Sequence, residues 1–227
     1  KSSHRFHENP AIDVGRIIAE NQNLPMLVYH GIDERYPHAS LRHHNSLLDA
    51  AVDVSRLCKK NGIKHVLHVA REGHRSSVMK EFAAMASLII TDLFPIPPWD
   101  DWVKSVAKIA NCPVIEVDCH CVIPMTLYGK SVDRPFKFRS ATKKLRKARI
   151  QRSWPKVEAK PKPYNGKLPF TPVDIESEVA DMKARFELLK QCNIDPTVHP
   201  VWSEKSGETI ALNKWQQYPG KGLSGYA

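Results

Sequence analysis

The chain has 227 residues, with 34 Lys and Arg against 24 Asp and Glu, a formal net charge of +10 and a pI near 9.4. At 42% hydrophobic and 26% charged it lies near average globular usage, which excludes a disordered, collagen-like or disulfide-scaffold chain. The length allows one large domain, or one of ordinary size with a piece of another, since domains mostly run to roughly 100–150 residues.

Taken in order, Asn9 to Val117 alternates helical and strand-like stretches. Asn9 is suited to cap a helix that opens at Pro10, with Ile12, Ile17 and Ile18 as its apolar face. PMLVY (Pro25 to Tyr29) is a short apolar run typical of a buried parallel strand. A long helix is expected from about Ser40 to Asn61, carrying Leu47, Leu48, Ala51, Val54, Leu57 and Cys58 on one face and ending before Gly62. KHVLHV (Lys64 to Val69), LIIT (Leu88 to Thr91) and PVIEV (Pro113 to Val117) read as further strands, with helices near 77–86 and 99–111 between them. This order predicts a parallel sheet with right-handed crossovers, ligands binding beyond the carboxyl ends of its strands. The chain enters at a helix, so a strand ahead of residue 1 is expected to complete the first unit.

After Met125 the composition changes. Between Lys130 and Lys162 there are thirteen basic residues against Asp133 and Glu158, so this one segment carries the whole positive excess. Lys143 to Arg152 reads as a basic helix, and a proline-rich, turn-forming stretch follows it. Thr171 is then expected to cap a helix that opens at Pro172 and buries Val179, Met182, Phe186 and Leu189. The last stretch is expected to be a loop and a helix. Five cysteines scattered along the chain do not form a disulfide framework, and no apolar run approaches the ~18 residues that span a bilayer. A cytoplasmic protein is the expectation.

Neither G-x-G-x-x-G nor G-x-x-x-x-G-K-[ST] occurs, which argues against a dinucleotide dehydrogenase or P-loop enzyme. Cys119-His120-Cys121 lacks the second ligand pair of a structural zinc site, so no metal is expected. Arg42, His43 and His44 open the long helix, where an anionic or polar ligand is one reading and a solvated first turn the other. Asp92 to Trp99 places an acid and two aromatics in a stiff loop at a strand end, which suits a flat hydrogen-bonding ligand. Phe136, Phe138 and Trp154 interleave with the basic segment. Both a solvated linker and a phosphate-binding face fit that pattern.

Several stretches together resemble the photolyase/cryptochrome family, closest to class II-like DNA photolyases. They are RFHENPAI (Arg5 to Ile12), YPHASLRHHNSLLDA (Tyr36 to Ala50), IITDLFPIPPW (Ile89 to Trp99), VDCHCVIPM (Val117 to Met125), DRPFKFRSAT (Asp133 to Thr142), CNIDPTVHPV (Cys192 to Val201) and WQQYPGKGLSGYA (Trp215 to Ala227). RHHNSLL departs from the aromatic-containing version common in class II enzymes.

The resemblance implies an α/β fold class: a doubly wound, Rossmann-like parallel sheet over residues 1–128, a basic, Pro-rich linker over 129–171, and the truncated start of an all-α FAD domain over 172–227. It implies a flavoprotein that uses blue light to split cyclobutane pyrimidine dimers flipped out of UV-damaged DNA. Tyr226 aligns with the tyrosine that opens the FAD-phosphate site. Tyr29, His30, Gly31, Arg42, His43, Asp92, Phe94 and Pro95 match the region of a deazaflavin-type antenna chromophore. The electron relay and lesion pocket of the family lie outside these residues, so no catalytic residue is assigned and the stretch alone is expected to be inactive. The family's main DNA groove lies on its flavin domain, so the basic segment is expected to be interdomain and auxiliary. A monomer is expected. The alternatives are a cryptochrome-like photoreceptor without repair activity and a stand-alone nucleotide-binding α/β domain.

Overall fold

The computed structural model describes residues 2–201 and 203–221. Helix α1 spans Pro10–Asn21, and the Asn9 side chain accepts from the Ala11 and Ile12 N–H groups, relieving two donors that a helix start leaves unpaired. Strand β1 is Leu27–Ile32. Helix α2, Leu41–Lys60, is capped by Ser40, whose hydroxyl accepts from His43 N–H. Gly62 follows it at φ +70°, the left-handed conformation expected after a helix end. Then come β2 Lys64–Val69, α3 Met79–Met85, β3 Ile89–Asp92, α4 Trp99–Ile109 and β4 Val114–Val117. The short α5 is Met125–Tyr128, and the basic helix α6 runs Pro135–Ile150.

The architecture is mixed α/β with short parallel ladders, as the alternation implies. β1 pairs with β2 from Leu27↔Lys64 to Ile32↔Val69. β3 pairs with β4 from Ile89↔Val114 to Asp92↔Val117. Among the described residues these are two separate two-stranded sheets. Helix α1 buries Gly15, Arg16 and Ala19 and leaves Ile17 43% exposed. Ile17 therefore lies off the apolar face, which runs through Ile12, Gly15, Ile18 and Ala19.

The later chain departs from expectation at Thr171. Val173 forms an antiparallel bridge with Leu67 of β2, so this segment is extended and Pro172 opens no helix. Asp174 instead caps α7, Ile175–Glu178, and Asp181 caps α8, Met182–Leu189. The break between them is where the Asp181 carboxylate takes the Ala184 N–H, so a local cap wins over continuing one helix. Met182, assigned to the buried face, is 39% exposed. Helix α9, Glu208–Lys221, closes the described chain. Among the described residues no helix is long and apolar enough to cross a membrane.

The main core joins early and late segments. Ile32, Leu41, Leu48, Ala51, Leu67 and Val69 pack with Val173, Val179, Leu188 and Leu189. Polar ties fix the same contact: Arg185 donates to Asp49 at 2.5 Å, and Ser206 N–H donates to the other Asp49 oxygen at 3.0 Å. Thr209 N–H donates to Asp53 at 2.8 Å. Leu48 is completely buried, so Leu48→Ala should lower unfolding free energy by roughly 2–5 kcal/mol, measured by urea denaturation of the purified chain.

Candidate functional site

Because the strands run parallel, their carboxyl ends share one rim, and the loops after β1, β2, β3 and β4 meet there. Asp92, the last residue of β3, is 3% exposed. Its carboxylate accepts from the Ser2 N–H at 2.8 Å, the Ser3 N–H at 3.0 Å and the Ser2 hydroxyl. His120 Nε2 stands 3.4 Å away. Register explains this meeting: Asp92 pairs with Val117, so the exits of β3 and β4 are neighbours. Asn9 and Arg5 tie the entering chain to the same place. Asn9 Nδ2 donates to the carbonyls of Ser3 and Arg5, and Arg5 donates to the Cys119 carbonyl at 2.9 Å. Cys119 is buried and Cys121 exposed, so the two thiols of the Cys-His-Cys stretch lie in different surroundings.

The exits of β1 and β2 are joined by an ion pair. Glu34, 8% exposed, accepts from Arg75 Nε at 2.5 Å and from the Asn193 N–H at 2.6 Å. These partners hold its carboxyl below the usual range although burial opposes them. On β1, Tyr29 donates its hydroxyl proton to His68 Nδ1 at 3.0 Å, because the His74 carbonyl, 3.1 Å from His68 Nε2, takes the proton of that other ring nitrogen. Gly31 permits this: a Cβ there would lie 2.8 Å from the Tyr29 hydroxyl. Phe82 and Phe170 pack edge-on to the Tyr29 ring.

Buried and half-buried histidines cluster at the rim, in the sheet behind it and on α2. His4 stacks on His30 with ring centroids 4.8 Å apart, and His65 meets His30 edge-on at 5.8 Å. Helix α2 fully buries His44. Both ring nitrogens of His44 and of His65, and Nε2 of His30, are buried without a hydrogen-bond partner among the described residues. Burial pushes His4, His44 and His65 down to about 4, and His30 well below its ordinary value. These rings are neutral at pH 7, and the rim at this point is a polarisable, uncharged wall.

The residues singled out from the sequence divide into two groups. Tyr29, His30, Gly31 and Asp92 line one cavity of about 770 Å³ between β1 and β3. Arg42, His43, Phe94 and Pro95 do not line it. Arg42 donates to the His199 carbonyl at 2.8 Å. His43 packs on Tyr36 at 5.1 Å, and Phe94 on Trp99 and His120 at 5.1 and 5.2 Å. Tyr36, 5.9 Å from Trp99, links these rings into one aromatic patch beside the cavity. Tyr226 lies outside the described residues. Sequence reading missed His4, His65, Glu34 and Phe170 and considered His120 only within the Cys119 to Cys121 stretch, as a metal ligand that it set aside. A signal was present only for His120, three residues beyond the strand that pairs with the one ending in Asp92.

No family model matches the chain. Over 125 residues, 55% of its length, it is 26% identical to the deoxyribodipyrimidine photo-lyase of Methanothermobacter thermautotrophicus. The matched stretch is 27% of that protein, so the chain spans little more than a quarter of the curated relative it matches.

The buried histidines set a pH dependence. A histidine held below its ordinary value of 6.5 stays neutral when folded, while the unfolded chain takes up the proton as pH falls. Their contribution to stability is therefore fully present above pH 6.5 and is lost between about 6.5 and 4. The urea midpoint should stay level from pH 8 to 7 and fall steadily from 6.5 to 4, and His44→Phe should make that fall shallower.

Proposed function

We propose that the chain is the N-terminal part of a light-dependent DNA-repair enzyme that splits cyclobutane pyrimidine dimers. The observation that carries this reading is the 125-residue match to a deoxyribodipyrimidine photo-lyase. The parallel α/β ladders and the ordered stretches from Arg5 to Trp215 support it. Residues 1–128 then form the antenna-type, doubly wound domain, 129–171 the linker, and 172–227 the start of an FAD domain. A reduced flavin, if bound, would supply light-driven electron transfer for opening the cyclobutane ring, with no net redox change, and Tyr226 is the residue of this chain assigned to its phosphate.

The chain's own residues would contribute binding and orientation. At the rim, Tyr29, His30, Gly31 and Asp92 face the cavity beside the Tyr36, Phe94 and Trp99 rings. An aromatic floor with a buried carboxylate and an unpartnered His30 Nε2 fits a flat, hydrogen-bonding antenna chromophore such as a deazaflavin. The other half of the assigned set, Arg42 and His43, contributes from the helix start without lining that cavity.

Helix α6 gives the positive charge a position. Arg139, Lys143, Arg146 and Lys147 recur at helical spacing on one face with Phe136 and Ile150. None of these four cations forms an ion pair among the described residues. Cations gathered this way serve as an auxiliary phosphate contact for DNA whose lesion is read elsewhere.

Intact protein loaded with flavin should restore dimer-containing oligonucleotides under blue light, read by chromatography, and a loaded protein that leaves dimers intact under blue light overturns the reading. Replacing Lys143, Lys144, Arg146 and Lys147 together by Glu should weaken damaged and undamaged DNA equally and flatten the salt dependence of binding, with lesion preference unchanged. Selective loss of lesion binding would instead assign α6 to the reading surface.

A further inference from the structure

Helix α6 separates its two faces. Inward, Thr142 is buried with its hydroxyl donating to the Phe138 carbonyl at 2.7 Å, and Arg149 donates to the Val122 carbonyl. Outward, Phe136, Arg139, Lys143, Lys147 and Ile150 follow at intervals of three and four residues, which sets them in one stripe, roughly 21 Å long at 1.5 Å per residue. No acidic residue occurs between Arg134 and Val157. Phe136 is 62% exposed and Ile150 64%, so an apolar side chain stands in water at each end of the row of cations. The chain from Val122 to Tyr128 runs back along the same helix: Val122 meets Arg149 near its end, and the Tyr128 ring meets Phe138 near its start at 5.5 Å. Val122, Met125 and Leu127, all exposed, therefore add apolar surface on its flank.

Charge alone asks for a polyanion, and the apolar ends choose among polyanions. A duplex hides the faces of its bases in the stack and offers phosphates at its surface, so it would leave Phe136 and Ile150 in water. A helix that lies in a bilayer surface carries an unbroken apolar stripe with its cations on the opposite face. Here the centre of the outward stripe is cationic and its apolar residues stand at the ends. An unpaired strand fits both parts. Its phosphates pair with Arg139, Lys143 and Lys147, and its bases, free of the stack, present flat faces that pack on an aromatic ring whatever their sequence.

We infer that the outward stripe of α6 is a single-strand binding face, on which Phe136 stacks an unpaired base while Arg139, Lys143 and Lys147 follow the phosphates beside it. This rests on the reading of α6 as an auxiliary phosphate contact and names its partner: an unpaired DNA strand rather than duplex.

The test titrates the purified chain, at fixed salt, against a labelled undamaged oligothymidine and against its duplex of the same length, read by fluorescence anisotropy. The single strand should bind about 10-fold more tightly than the duplex. Phe136→Ala should weaken the single strand about 10-fold, leave the duplex unchanged and keep the salt dependence of both, since no charge is removed. Phe136→Trp should recover the wild-type affinity. A Phe136→Ala chain that holds the strand as tightly as before overturns the inference. So does binding to phosphatidylserine vesicles with no binding of either oligonucleotide, which would put a membrane on this face. Equal binding of strand and duplex, lost when Lys143, Lys144, Arg146 and Lys147 are replaced by Glu, sinks this inference alone and leaves the phosphate contact standing. If neither oligonucleotide binds, both fall. Dimer repair under blue light is a separate readout on damaged oligonucleotides, so its failure is told apart from either result.

Discussion

A buried parallel strand must satisfy its backbone on both edges, and the arrangement around this sheet follows from that demand. Among the described residues, β1 meets it through β2 and β3 through β4. What keeps them aligned across the interval is α1, seated by Gly15 against both flanks, and the Asp92 carboxylate gripping Ser2 and Ser3. The position of every rim group, from Tyr29 to His120, depends on that alignment. A shift of one ladder against the other would carry His30 and Asp92 apart without breaking either ladder.

Helix α2 is the second organiser. One stripe, Leu41, His44, Leu48, Ala51, Val54 and Cys58, is buried, while Asp49 and Asp53, one turn apart, reach the other way to hold the late chain. Glu208 of α9 closes this circuit by accepting from the Phe6 and His7 N–H groups at 2.8 and 2.6 Å. Three carboxylates thus direct their lone pairs at backbone or guanidinium donors, which makes their burial tolerable. The first described segment is thus fastened to α9, and α9 and the chain before it to α2, by the same chemistry.

Much of this was legible in the sequence. The helix cap at Asn9 and the left-handed Gly62 are local features, carried by single residues near in sequence, whereas Ser40, expected as the first residue of α2, is its cap. Strand cores are local too, and the apolar run Lys64 to Val69 coincides with β2 residue for residue. The failures are nonlocal. Pro172 looks like a helix opener until β2 offers its free edge to Val173. His44 looks like part of a polar helix start, yet it stands four residues before Leu48 on the buried stripe, and position outweighs side-chain polarity. The candidate site split for the same reason: strand exits can be read from the sequence, but which exits touch depends on register, and register joined Asp92 to His120 while Arg42 turned toward His199.

The bridge between Leu67 and Val173 has a consequence for biosynthesis. A nascent chain leaves the ribosome at roughly 5–20 residues per second, so the apolar surface made by Ile32, Leu48 and Val69 emerges several seconds before Val173, Val179 and Leu188, which cover it. During that interval the nascent α/β body presents a sticky, half-clad core. Its protection in the cell falls to a chaperone or to the speed of translation through the basic and proline-rich stretch, and codons that slow this stretch would lengthen the exposure.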